Sequence, residues 1–138
     1  MKQNRSLFLS LAVFLIPLLC NAQNDFLVDR EVSNIYRSAF DLKLNKASTE
    51  IKKAKKSQPH NLMLVFLEHY TDFLKAFTSE EKIAVECLKK NLNNRLQKIQ
   101  KGDKDNPYRL FLQAEMHLHA GLVRLKFNEQ FAAAQEIK

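Results

Sequence analysis

The amino-acid sequence predicts an all-α protein built from antiparallel helical hairpins that stack on one another. The 138 residues include only 2 glycines and 3 prolines, fewer turn-forming residues than a sheet or barrel uses. Apolar residues recur at intervals of three and four, which is the period of one helix face, and no segment sustains the alternation of a strand. The connections between these segments are short, so consecutive helices are expected to be antiparallel neighbours.

The first helix is indicated by five apolar residues spaced 4, 3, 4 and 3 along one face: Val28, Val32, Ile35, Ala39 and Leu42. A second, shorter helix carries a narrow stripe of Ala47, Ile51 and Ala54. We expect it to end before Pro59, because the residue that precedes a proline is disfavoured from helical geometry.

The third helix is predicted from about Leu62 to Phe77, with Leu62, Phe66, Tyr70, Phe73 and Phe77 as its main stripe. Further apolar residues widen the stripe so far that we expect the helix to be covered on more than one side. Thr78 and Glu81 have the spacing of a capping box and predict the start of a fourth helix. We place the end of that helix at Gly102.

The fifth helix is expected to begin at the pair Asn106–Pro107, since asparagine caps helices and proline suits the first helical position. Its apolar stripe consists of Leu110, Ala114, Leu118, Gly121 and Leu125. Asn128 marks a further turn, and the segment EQFAAAQEIK begins a sixth helix.

Residues 1–22 are predicted to be a secretory signal peptide. Lys2 and Arg5 precede a largely apolar run of 13 residues, Leu7 to Leu19, and Cys20 and Ala22 supply the small residues of a cleavage site. The run is shorter than the roughly 20 residues that a membrane-spanning helix needs. We therefore expect export to the periplasm or the cell envelope, with membrane contact only through an uncleaved signal or through acylation of Cys20. The large residue before Cys20 disfavours acylation.

The segment KASTEIKKAKKSQPHN resembles the second helix of a tetratricopeptide repeat. That motif has two alanines around a bulky apolar residue, followed by a proline, and here these are Ala47, Ile51, Ala54 and Pro59. The resemblance implies that residues 23–138 form a tetratricopeptide-like α-solenoid of about six helices. The large aromatic residue and the leucine of the motif's first helix are absent. The two prolines Pro59 and Pro107 lie 48 residues apart, so the middle hairpin is longer than one repeat.

The closing segment resembles the same motif. Gly121 stands at its close-packing glycine, Asn128 at its turn, and Ala133 and Ile137 at positions of its second helix. The proline of the motif would fall beyond the last residue, so we expect the solenoid to be truncated there, with Phe131 and Ile137 exposed. The signal sequence, which ends in NAQ, also resembles those of exported repeat proteins of Bacteroidetes-type bacteria.

Histidines and acidic residues offer little catalytic or metal-binding chemistry. His117 and His119 point about 200° apart on a helix and cannot share a metal ion, and one of them is expected to face the core. His69 and Asp72 are interpreted as a solvated or capping pair, because no nucleophile or further ligand accompanies them. We therefore predict neither an enzyme nor a metal or other cofactor.

The cluster KKAKK, which contains Lys52, Lys53, Lys55 and Lys56, is interpreted as the solvated face of an amphipathic helix rather than as a nucleic-acid site. Cys87, in the segment IAVECLKK, is expected to be a buried structural thiol because its neighbours are apolar.

Two hypotheses about function follow. The first is a non-catalytic interaction module, because the resemblance implies a groove for a peptide or partner protein. The side chains expected to line that groove are Arg37, Lys43, His69, Arg109, Gln113 and Arg124, and their charge would fit an acidic peptide or a C-terminal carboxylate. The second hypothesis is the N-terminal scaffold of a larger exported or envelope-anchored protein, whose activity lies beyond residue 138.

Overall fold

A computed structural model describes residues 25–137, and the predicted signal peptide lies outside this range. The described chain forms six helices and no strand. The helices are α1 (Arg30–Phe40), α2 (Leu44–Ser57), α3 (Leu62–Ser79), α4 (Lys82–Gln100), α5 (Pro107–Lys126) and α6 (Gln130–Glu136). Within residues 25–137, none of these helices has the length and apolar character to span a membrane.

The helices pack as three consecutive hairpins, α1–α2, α3–α4 and α5–α6. Each helix contacts the next one along the chain, and the first helices of the hairpins also contact one another, α1 with α3 and α3 with α5. Within the described chain, no such contact joins α2 to α4 or α4 to α6. The odd-numbered helices therefore form a continuous layer, and the even-numbered helices pack against one side of that layer. This arrangement of helical hairpins confirms the predicted fold class.

Helix α1 begins where the Asp29 carboxylate accepts a hydrogen bond of 2.8 Å from the Val32 backbone N–H. Its stripe buries Val32, Ile35 and Ala39, whereas Val28 and Leu42 lie beyond the helix ends and are exposed. Ala47 and Ala54 of α2 are fully buried, as expected. Their small side chains allow the backbones of α1, α2 and α3 to approach closely.

Helix α3 is the centre of the molecule. It packs against α1, α2, α4 and α5, which confirms that its apolar circumference is covered on more than one side. The Asn61 side chain caps its first turn by accepting a hydrogen bond of 3.0 Å from the Met63 N–H. Leu64 and Leu67 are among the most deeply buried residues of the core.

The predicted capping box at Thr78 is wrong. Helix α3 continues through Thr78, whose hydroxyl donates to the Leu74 carbonyl at 2.7 Å. This bond runs back one turn within α3, which is common for a threonine inside a helix. The chain turns at Glu80, two residues after Thr78, where φ is 59°. Helix α4 then starts at Lys82 without a side-chain cap.

Gly102 follows the end of α4, as predicted, but it is not in the left-handed conformation common for such glycines, since no glycine in the described chain has a positive φ. It is buried, and a Cβ atom there would lie 2.6 Å from Leu62 Cδ1 and 2.7 Å from Phe26 Cζ. The glycine therefore permits a close approach to the start of α3. By contrast, the cap at Asn106 is confirmed, because its side chain accepts from the Tyr108 N–H at 3.0 Å.

The expected burial of Cys87 is also wrong, since its thiol is exposed. The buried residues of α4 nearest to it, Ala84, Val85 and Leu88, define a face from which position 87 lies about a third of a turn away. Apolar neighbours in sequence therefore did not predict an apolar environment.

Helix α5 buries a different face from the one that its periodicity suggested. Its core residues are Leu112, Met116, His119, Ala120 and Val123. In the predicted stripe, Leu110 is 65% exposed and Leu118 is 42% exposed, and only Gly121 is buried. The two faces point in roughly opposite directions on the helix, and both are apolar.

Helix α6 covers only a small part of that second face. A Cβ atom on Gly121 would lie 3.2 Å from the Ile137 side chain, which confirms the expected close approach. Ala133 is buried, Asn128 turns the chain with a φ of 62°, and Phe131 and Ile137 are exposed as expected.

Candidate ligand-binding groove

The layer of odd-numbered helices contains an apolar groove of about 340 Å³. Helix α3 forms its floor, and α1 and α5 form its two walls. Its lining is rich in aromatic side chains, namely Tyr36 from α1, Phe66 and Tyr70 from α3, and Tyr108 and Phe111 from α5. Tyr36 is 44% exposed and Phe111 is 55% exposed, so the rings are accessible to a ligand.

Stacked rings join α1 to α3 along the groove. The centroids of Tyr36 and Tyr70 lie 5.3 Å apart with planes 12° from parallel, and those of Phe66 and Tyr70 lie 6.1 Å apart. The pKa of Tyr70 is raised to about 12, chiefly by burial and further by Tyr36 and by the negative charge of Glu115. Tyr70 is therefore neutral at physiological pH, and its ring is held in place.

Two buried histidines lie beneath the groove, between α3 and α5. The His119 ring stacks on Phe73 with centroids 4.1 Å apart, and the His69 ring lies 5.5 Å away on the other helix. Burial lowers the pKa of His119 to about 4. Burial, with the nearby His119 and Arg95, lowers the pKa of His69 to about 3. Both rings are neutral at pH 7.

Because His119 is neutral, it leaves the negative charge of the neighbouring Glu115 carboxylate in the groove. His119 Nε2 lies 3.5 Å from Glu115 Oε2, but a neutral imidazole does not balance a carboxylate. Of the described residues that line the groove, only Glu115 therefore carries a formal charge at neutral pH. The prediction that one of His117 and His119 faces the core is confirmed, since His119 is buried and His117 is partly exposed.

The six residues predicted to line a groove do not line this one. Arg37 is exposed elsewhere on α1, and Lys43 pairs with Asp41 at 3.1 Å. Arg109 donates to the Lys104 carbonyl at 3.4 Å, and the Gln113 amide donates to the Arg109 carbonyl at 2.8 Å.

The other two predicted residues, Arg124 and His69, interact with neighbouring helices rather than with the groove. Arg124 joins α5 to α6 through ion pairs with Glu129 at 3.0 Å and Glu136 at 3.1 Å. The expected exposure of His69 is wrong, because the residue is fully buried and cannot contact a partner directly. Within residues 25–137, neither of its ring nitrogens has a hydrogen-bond partner.

The proposed solvated pair of His69 and Asp72 is therefore wrong as well. Asp72 pairs instead with Arg95 of α4 at 2.7 Å. The lysine cluster is solvated as predicted, with Lys52, Lys53 and Lys56 exposed, while Lys55 bridges to Glu68 of α3 at 2.7 Å. Among residues 25–137, no group of three or more histidine, cysteine, aspartate or glutamate side chains could hold a metal ion.

The aromatic lining was not predicted from the sequence, although the positions of the aromatic residues on α1 and α5 indicate it. Tyr36 and Phe40 lie one turn apart on α1, just beside the stripe that is buried. Tyr108 and Phe111 similarly flank the core residue Leu112 on α5. Exposed aromatic side chains at the edge of a buried face indicate a contact surface. Comparison of the chain with protein-family models, curated proteins and solved structures gives no match.

Proposed function

We propose that this protein is a non-catalytic interaction module, exported from the cell, whose groove binds a segment of a partner polypeptide. The observation that carries the proposal is the open aromatic groove across α1, α3 and α5. Binding sites are typically concave and mostly apolar, with a few polar groups. Tyrosine and phenylalanine are also the residue types that supply much of the contact energy at interfaces.

The size of the groove supports a short segment rather than a folded domain as the ligand. Its volume of about 340 Å³ lies near the lower limit of the roughly 300–1,000 Å³ found for ligand pockets. A segment with two or three bulky side chains would fill it. The rest of the partner would lie outside, above the walls formed by α1 and α5.

Peptide display tests this proposal. Peptides selected from a random library on the purified protein should contain apolar or aromatic residues and should bind through the groove. In the double variant Y108S/F111S, which removes two accessible rings from one wall, we expect affinity to fall by at least about tenfold. Binding would be measured by fluorescence anisotropy, and circular dichroism would verify that the variant keeps its helices.

The control is the double variant L110S/F131S, which removes two even more exposed apolar side chains outside the groove. It should bind the selected peptides within about twofold of the original affinity. Recovery of no binding peptide, or equal loss of binding in both double variants, would refute the proposed function.

A second candidate function is a scaffold within a larger exported or envelope-anchored assembly. The exposed second face of α5, with Leu110, Leu118 and Leu125, together with Phe131 of α6, favours it. In a stack of hairpins, such a face is normally covered by the next element. A photo-crosslinker at Leu118, in cells that make the protein, should capture a neighbouring polypeptide segment. The same crosslinker at Lys53 on the solvated face of α2 should not, and equal capture at both sites would contradict the scaffold role.

Export has its own test. Mass spectrometry of the protein isolated from its native cells should show an N-terminus at Gln23, after removal of residues 1–22. An acyl group on Cys20 would instead establish a lipid anchor, and an intact Met1 in the cytoplasmic fraction would contradict export.

A further inference from the structure

The groove contains a negative charge that no cationic side chain in the described part of the chain balances. The Glu115 side chain is 34% exposed, and its nearest titratable neighbour across one helical turn is the neutral His119. Acidic residues elsewhere between packed helices have cationic partners, as Asp72 has Arg95 and Glu68 has Lys55. A partly buried carboxylate is screened less by water than a fully exposed one, so it gains more from a nearby cation.

The aromatic rings near Glu115 would reinforce the attraction of a cation. The faces of tyrosine and phenylalanine rings are electron-rich and attract ammonium and guanidinium groups within about 6 Å of the centroid. Glu115 lies close enough to Tyr70 for its charge to affect the titration of that hydroxyl, so the carboxylate and the stacked Tyr36–Tyr70 pair belong to the same part of the groove.

The same combination of a ring and a carboxylate already holds a cation elsewhere in this protein. The Lys126 ammonium lies 4.8 Å from the centroid of the Phe77 ring and 2.9 Å from Glu80 Oε1. In the groove, Glu115 and the aromatic lining provide both components, and no lysine or arginine among residues 25–137 lines the groove to occupy the position.

We propose that the groove recognises a segment carrying a lysine or arginine side chain, whose cationic group pairs with the Glu115 carboxylate beside the aromatic lining of the groove. This inference rests on the proposed function and specifies its ligand. The earlier expectation of an acidic ligand depended on basic residues that lie outside the groove. The charge within the groove favours the opposite sign.

The test uses three pools of synthetic nine-residue peptides in which the flanking positions are randomised among Ala, Leu, Phe and Tyr. The central residue is lysine in the first pool, norleucine in the second and glutamate in the third. We expect the lysine pool to bind the purified protein about tenfold more tightly than the norleucine pool, and the glutamate pool to bind most weakly. Because the protein has a net charge of +7, general electrostatic attraction would favour the glutamate pool instead.

A charge-removing variant locates the effect. In E115Q, the lysine and norleucine pools should bind with equal affinity, so the roughly tenfold lysine preference should disappear. The control E86Q removes a carboxylate from α4, where Glu86 is exposed outside the groove, and should leave the lysine preference intact.

The outcomes separate this inference from the proposed function. Equal binding of the lysine and norleucine pools, abolished by Y108S/F111S, would leave the groove as a binding site but overturn the cationic ligand. A lysine preference that survives E115Q would also overturn it. Binding of none of the pools would overturn the proposed function itself.

Discussion

Helices α3 and α5 have similar sequences in one respect, because each has apolar residues around most of its circumference, yet the structure treats them differently. Helix α3 packs against four other helices, which together cover most of its apolar residues. Helix α5 buries one apolar face against α3 and α4 and leaves much of the opposite face exposed. The comparison shows that an apolar pattern indicates a potential for burial, and that the neighbouring elements decide whether burial occurs.

The two helices should differ most in how far the free energy of unfolding falls when a leucine is replaced by alanine. Leu64 of α3 is fully buried, whereas Leu110 of α5 is 65% exposed. Leu64→Ala should lower the free energy of unfolding by about 3–4 kcal/mol, through lost burial and a residual cavity. Leu110→Ala should change it by less than about 0.5 kcal/mol. Urea denaturation measures both, and similar costs would mean that a neighbour covers the second face of α5 in solution.

The junction between α3 and α5 should also make the protein sensitive to acid. His69 and His119 have folded-state pKa values of about 3 and about 4, below the ordinary histidine pKa of 6.5. The unfolded chain therefore binds protons more readily, so stability is complete above about pH 6.5 and falls as the pH drops towards these values. The charges around His69 come from α4, which provides Arg95, and from α5, and they add to the effect of burial.

Replacement of His69 sharpens this part of the comparison. Between pH 7 and pH 5, His69→Leu should remove on the order of 2 kcal/mol of the acid-induced loss in unfolding free energy. Denaturation curves at several pH values provide the measurement. Leu110→Ala is the control and should not change the pH dependence. If His69→Leu unfolds with the original pH dependence, the imidazole is not held neutral in the folded state.

The smallest expected effects concern the two glycines. Gly102→Ala would place a methyl group against Leu62 and the buried Phe26 ring and should destabilise the protein by about 1–2 kcal/mol. In Gly121→Ala, the new methyl group would lie 3.2 Å from the exposed Ile137 side chain and at an ordinary contact distance of 3.7 Å from the Ala133 carbonyl oxygen. The gain in helix propensity, about 1 kcal/mol, should offset the displacement. Thermal unfolding of both variants would test whether the surroundings of Gly121 accommodate a methyl group more easily than those of Gly102. A larger loss of stability for Gly121→Ala would contradict this expectation.

The sequence predicted most of the helices because their local signals are strong. The asparagine cap and the following proline specify the start of α5, and the alanines of α2 specify a closely packed helix. The errors arose where a local pattern had two solutions. Thr78 could cap the next helix or continue its own, and in the structure α3 continues through Ser79, with the Thr78 hydroxyl bonded back to the Leu74 carbonyl.

The candidate site was harder to predict than the fold. The groove brings together Tyr36, Tyr70 and Phe111 from three helices that are far apart in the sequence. The predicted residues were chosen for their charge and their position opposite an assumed buried stripe. On α5 that assumption selected the wrong face, so Arg109, Gln113 and Arg124 do not line the groove.

The sequence by itself determined that this protein is helical, where most helices begin and end, and that small residues bring the first hairpin together, because these properties depend on residues within a few positions of one another. The tertiary structure decided which face of α5 is buried and that His69 and His119 are neutral. It also placed the Glu115 carboxylate as the charged group in the lining of an aromatic groove. These properties depend on burial and on partners from other helices, which the periodicity of a single helix does not specify.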